Sequence, residues 1–215
     1  MPAVKFCGLR RPEDANAAVD LGAAYVGVIF AGGPRRRSVE EAKTIFSDLP
    51  TSTKRVGVFA AQTAAEILAV SERLQLQVLQ LHEPASIDSF SSLRSGFKGE
   101  IWLVQRIRGA DVPPAATEAA RVADAVLLDA HVVGMLGGTG VPLPWAAIAA
   151  STRQIRAMTK LVLAGGLRPD NVRNAIEAVG PDVVDVSSGV ESSPGIKDHE
   201  RMRAFRDAVS EAAVS

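Results

Sequence analysis

Short, nearly continuous runs of Val, Ile and Leu recur along the chain, and the stretches between them carry apolar residues at helical spacing. The runs fall at Val4–Cys7, Tyr25–Phe30, Lys54–Phe59, Gln77–Leu81, Glu100–Val104, Ala125–Leu128, Lys160–Leu163 and Val183–Val186. Several are apolar at nearly every position, as strands buried on both faces are. The stretches between them have start and stop signals. Pro12 with Glu13 and Asp14 opens a helix that Gly22 closes, and Pro169-Asp170-Asn171 opens another that Gly180 closes. Pro113-Pro114 makes the helix after the fifth run short or late. Eight strands alternating with helices predict an α/β fold in one domain over residues 1–215, a closed parallel (β/α)8 or TIM barrel.

An internal echo supports a barrel of equivalent units. Gly8-Leu9-Arg10-Arg11-Pro12 and Gly166-Leu167-Arg168-Pro169 each precede a helix, a glycine and a new strand. A doubly wound open sheet is the competing fold. It would need a glycine-rich turn after the first strand, whereas here such turns follow the seventh and eighth.

Composition narrows the functional classes. Lys plus Arg and Asp plus Glu are 24 each, so no global field favours nucleic acid or an anionic membrane, and any anion site must be local. One cysteine excludes an internal disulfide framework and suits a reducing compartment. There is no signal-like segment and no apolar run near the ~20 residues of a membrane helix, so a cytoplasmic enzyme is expected. Three scattered histidines without ligand spacing suggest no metal site.

In such a barrel the chemistry sits at the C-terminal ends of the strands. That rule selects Cys7, the loop after Phe30, His82, Arg106, Asp129, Gly165-Gly166 and the segment from Asp185 to Gly189. Gly165 and Gly166, with Ser187, Ser188 and Gly189, would bring backbone N–H groups and hydroxyls close to a phosphate. Cys7 reads either as a base or nucleophile or as a small buried hydrophobe. Asp129 reads as a general acid, its pKa raised by burial, or as a loop cap. Arg35 and Arg36 stand in a basic loop that could grip a carboxylate, although runs of charge commonly face solvent. His82 and Asp185 could touch a substrate or hold neighbours. Gly138, within Gly137-Gly138-Thr139-Gly140, could belong to a segment that closes over substrate or to a plain tight loop.

Taken in order, Lys5-Phe6-Cys7-Gly8-Leu9, Pro34-Arg35, Gln80-Leu81-His82, Leu128-Asp129, Gly137-Gly138-Thr139-Gly140, Ala164-Gly165-Gly166-Leu167 and Asp185-Val186-Ser187-Ser188-Gly189-Val190-Glu191 resemble the phosphoribosylanthranilate isomerases of tryptophan biosynthesis. The resemblance continues through Pro194-Gly195-Ile196-Lys197-Asp198. It implies an Amadori rearrangement of N-(5-phosphoribosyl)anthranilate, with Cys7 as general base, Asp129 as general acid and Arg35 on the anthranilate carboxylate. It implies no cofactor and a small phosphorylated substrate as partner; from charge and composition no nucleic acid or membrane partner is expected, and a monomer is expected with a dimer left open. The loop after the second strand is about one residue shorter than usual, which leaves Arg36 as the alternative carboxylate holder. Glu83-Pro84 follows His82 where the family has glycine. The two anionic ends of the substrate are expected on opposite sides of the mouth.

Two other classes compete. The related histidine-pathway isomerase has an aspartate where Cys7 stands, and indole-glycerol-phosphate synthase needs lysines at strand ends. Here Lys5, Lys54 and Lys160 precede or begin their strands. A non-catalytic phosphate binder would keep the glycine turns without needing Cys7 and Asp129 together.

Overall fold

The structure is a computed structural model that describes residues 1–82, 87–107, 111–129 and 145–212. Eight parallel strands close into one barrel in chain order. They are β1 (Ala3–Cys7), β2 (Tyr25–Ile29), β3 (Lys54–Phe59), β4 (Val78–Leu81), β5 (Glu100–Arg106), β6 (Ala125–Asp129), β7 (Lys160–Ala164) and β8 (Val183–Val186). Ring closure is direct, with Lys5 of β1 in register with Asp185 of β8 and with Tyr25 of β2. Eight helices follow the strands: α1 (Pro12–Asp20), α2 (Val39–Ile45), α3 (Ala64–Leu74), α4 (Ile87–Gly96), α5 (Pro114–Ala120), α6 (Trp145–Arg156), α7 (Val172–Val179) and α8 (His199–Glu211).

Two apolar layers account for the runs in the sequence. Alternate strand residues face outward and pack with the helices in the larger core, among them Phe6, Val26, Phe59, Leu79, Ile101 and Leu128. The others, including Tyr25, Val56, Val78, Trp102, Leu127 and Val162, fill the barrel itself. A strand buried on both faces must be apolar throughout, so an interior polar residue stands out. α5 starts at Pro114, late in its connection, as the proline pair predicts. α2 and α3 open with capping boxes, Ser38 with Glu41 and Thr63 with Glu66.

The floor of the barrel is sealed by charge. Glu100, the first residue of β5, accepts from Lys54 Nζ at 2.5 Å and Lys160 Nζ at 2.9 Å, each the first residue of its strand. Trp102 Nε1 donates to the same carboxylate at 2.8 Å. Burial pushes the Glu100 carboxyl up, but the bonds from Lys54, Trp102 and Lys160 outweigh it and hold the group below its ordinary range. Among the described residues the cavity lies at the other, C-terminal end of the strands.

The structure shifts two expectations. Lys5 is the third residue of β1 and fully buried, so it neither precedes nor begins its strand. α7 starts at Val172 because Asn171 belongs to the turn before it: its Oδ1 accepts from Arg168 N and its Nδ2 donates to Gly166 O. A further element gave no periodic signal. After a 3₁₀ turn at Ser188–Val190, β9 (Glu191–Ser193) and β10 (Ile196–Lys197) form a short antiparallel hairpin.

Candidate active site

One cavity opens at the mouth, and its walls include Cys7, Arg35, Gln80, His82, Asp129, Gly165, Gly166, Asp185, Ser187, Ser188 and Gly189. The strand-end rule therefore brings together residues from six of the eight βα units. Arg36 is exposed and outside this lining, while its neighbour Arg35 is part of it. Gly138 and the stretch from Gly137 to Gly140 lie outside the described residues, as do Glu83 and Pro84.

Cys7 and Asp129 end β1 and β6, three positions apart round the ring, and both line the cavity. Cys7 is 5% exposed. Gly27 on β2 makes room for it: a Cβ there would stand 2.9 Å from Cys7 Sγ and 3.3 Å from Lys5 Cε. Burial pushes the thiol above its ordinary value, opposed by the ammonium groups of Lys5 and Lys197 and reinforced by Asp185. The resting group is thus a thiol with cations close at hand.

A buried polar chain joins two of these cavity residues, Asp185 and His82, through Lys5 and Gln80, which strand-end position did not select. Lys5 Nζ donates to Asp185 Oδ2 at 2.7 Å and to Gln80 Oε1 at 2.8 Å. Because Lys5 can only donate, it fixes the Gln80 carbonyl toward itself and turns the Gln80 amide to His82 Nε2, 3.2 Å away. That assigns His82 Nε2 as acceptor and puts the ring proton on Nδ1. Burial holds the imidazole below its ordinary value, despite the nearby Asp129, so it is neutral at neutral pH. The other carboxylate oxygen, Asp185 Oδ1, is buried without a hydrogen-bond partner among the described residues. Such an acceptor on a cavity wall is suited to a ligand hydroxyl. The missed signal was local: Lys5 and Gln80 are polar residues inside apolar runs, two positions before Cys7 and His82 on the same strand face.

The glycine turns after β7 and β8 touch each other. A Cβ at Gly189 would lie 1.8 Å from the Leu167 carbonyl oxygen, so no side chain fits there. Gly8 and Gly166, the paired glycines of the internal echo, both take left-handed backbone, with φ of 70° and 66°. A Cβ on Gly8 would meet Arg35 Cδ at 2.8 Å and Ser187 Oγ at 2.9 Å. Arg35 crosses over β1 to the loop after β8, where Glu191 takes its Nε and Nη2 at 2.7 Å each. The arginine therefore borders the turn after β8, which itself touches the turn after β7, so the arginine and the glycine turns are not on opposite sides of the mouth.

A closed parallel barrel with a thiol, a carboxylate and paired glycine turns round one mouth cavity defines a (β/α)8-barrel enzyme. Residues 4–208 match the family model described as N-(5'phosphoribosyl)anthranilate (PRA) isomerase, and the chain belongs to that family. It is 40% identical over 207 residues to an N-(5'-phosphoribosyl)anthranilate isomerase of Pseudomonas fluorescens, covering 95% of this chain and 97% of that one. A namesake from Rubrobacter xylanophilus is 39% identical over 211 residues, covering 97% and 98%. The solved phosphoribosyl anthranilate isomerase of Thermotoga maritima superposes with a TM-score of 0.88 at 34% identity, covering 98% of this chain and 100% of that one. A structure of phosphoribosyl anthranilate isomerase in complex with reduced 1-(o-carboxyphenylamino)-1-deoxyribulose 5-phosphate gives 0.85 at 32% identity with the same coverage. Among the described residues, no helix is long and apolar enough to cross a membrane, and no cluster of three or more His, Cys, Asp or Glu could hold a metal ion.

Proposed function

We propose that the chain, as one catalytic domain over residues 1–215, converts N-(5-phosphoribosyl)anthranilate to 1-(2-carboxyphenylamino)-1-deoxyribulose 5-phosphate in tryptophan biosynthesis. The observation that carries this reading is that Cys7 and Asp129 line one cavity together with the two glycine turns.

The chemistry needs one acid and one base. Protonated Asp129 gives its proton to the ribose ring oxygen as the C1–O bond breaks, leaving a Schiff base between C1 and the anthranilate nitrogen. That cation acidifies the C2 proton. It also draws the Cys7 thiol down toward ionisation; once the thiol has lost its proton to solvent at the mouth, the thiolate takes the C2 proton from the opposite face and becomes a thiol again. The electron pair of the C2–H bond forms the C1=C2 bond of an enolamine, which tautomerises to the ketone. No hydride or electron sink is required.

The remaining residues bind. The backbone of Gly165, Gly166, Ser188 and Gly189, with the Ser187 and Ser188 hydroxyls, takes the phosphate. Arg35, rather than the exposed Arg36, takes the anthranilate carboxylate. Asp185 Oδ1 accepts from a sugar hydroxyl, and neutral His82 contacts the substrate beside it. The protein works without a cofactor, as a cytoplasmic monomer. The test is to mix purified protein with freshly made N-(5-phosphoribosyl)anthranilate and follow anthranilate-type fluorescence. Rapid loss supports the assignment; decay no faster than in buffer overturns it.

A further inference from the structure

Arg35 and the turn after β8 are joined by two buried charges that the mechanism above does not use. Glu191 is 7% exposed and Lys197 is 3% exposed. They face each other across the β9–β10 hairpin, whose tight connection is made by Gly195 at a φ of 82°. Lys197 Nζ lies 2.9 Å from Glu191 Oε1 and 2.9 Å from the carbonyl oxygen of Ser187. Glu191 holds Arg35 side-on through Nε and Nη2. One carboxylate thus grips the arginine directly and the glycine–serine turn through the lysine. Arg201 Nη1 donates to the Glu191 backbone carbonyl at 2.5 Å and pins the hairpin to α8.

This arrangement is costly unless it does something. Burying an ion pair is often no more stabilising than filling the same volume with apolar side chains. Here it fixes geometry. A guanidinium has two forks, and Glu191 occupies the side-on one. The end-on fork, one N–H from each Nη, can take a second carboxylate, and Arg35 lines the cavity. Two cations against one carboxylate also leave the rim one positive charge in surplus, which suits an anionic ligand.

We infer that Glu191 and Lys197 are positioning residues: Glu191 aims the end-on edge of Arg35 at the substrate carboxylate, and Lys197 locks that arm to the Ser187 turn, setting the distance between the two anion holders. The inference rests on the reading of Arg35 as carboxylate holder. If Arg35→Ala leaves KM unchanged, that reading falls and the inference with it.

The test is a double-mutant cycle of Arg35→Ala and Glu191→Gln, assayed with N-(5-phosphoribosyl)anthranilate. Glu191→Gln is expected to raise KM about tenfold or more with kcat within about threefold, the signature of lost ground-state binding. Because Glu191 acts through Arg35, adding Glu191→Gln to Arg35→Ala should raise KM by less than about threefold again. Lys197→Met should weaken inhibition by inorganic phosphate as well as raise KM, and Lys197→Arg should restore most of both. Should Glu191→Gln fail to fold, Glu191→Asp, which withdraws the charge by about one methylene, runs the same cycle with the same expectations. If Arg35→Ala raises KM while the Glu191 variant leaves it unchanged, or if the two effects multiply, the inference is wrong.

Discussion

Lys5 sits fully buried two residues before Cys7, with Asp185 and Gln80 on its ammonium group. Its charge favours the thiolate, whereas Asp185 and burial oppose it. Because the thiol lies above its ordinary value in the free protein, the thiolate fraction grows as pH rises through neutrality and beyond. The chain has one cysteine, so alkylation reads that group alone. In Lys5→Met the rate of iodoacetamide labelling at pH 8 should fall about tenfold, and its pH midpoint should move further alkaline. An unchanged or lowered midpoint would show that Lys5 does not act on the thiol. At this scale Cys7, Asp129 and Asp185 were legible because strand-end position alone selects them. Lys5 and Gln80 were not, because a buried lysine makes sense only once its partners are known. Those partners lie 180 and 75 positions away in the chain.

At the scale of elements, the strands were legible to within two residues at each end, since burial on both faces leaves an unbroken apolar run. Helix starts were less legible. The signal at Pro169-Asp170-Asn171 comes early: α7 begins at Val172 with Asn171 as its N-cap, and the Asn171 side chain closes the turn back onto Gly166. The β9–β10 hairpin was not legible at all, because strands of three and two residues have no periodicity to read. Its sign was a Glu and a Lys flanking a Pro-Gly turn. The contact between the two glycine turns carries a prediction of its own. Gly189→Ala places a methyl where only 1.8 Å separates it from the Leu167 carbonyl, so the turns must part. Inhibition by inorganic phosphate should weaken about tenfold or more, since N–H groups that have moved apart no longer converge on one anion. Circular dichroism should still show the barrel's helices. Phosphate inhibition unchanged in a folded Gly189→Ala protein would remove these turns from the anion site.

On the scale of the whole molecule, the two ends of the barrel divide the labour. The floor is closed by Glu100 between Lys54 and Lys160, and the mouth collects the thiol, the acid, the arginine and the glycine turns. That polarity belongs to the architecture, so eight alternating units in the sequence were enough to expect it. What the sequence could not supply is how the units meet. The arginine loop after β2 reaches the loop after β8 only because β1 and β8 close the ring. The central claim is that Cys7 and Asp129 act as base and acid across one cavity. It is tested most directly by the turnover of N-(5-phosphoribosyl)anthranilate by Cys7→Ala and Asp129→Asn, each checked for an unchanged circular dichroism spectrum. Each substitution removes a proton-transfer group worth about 10²–10⁴ in rate, so kcat should fall by at least about a hundredfold in both. Turnover within a few-fold of the parent protein in either folded variant would contradict the account.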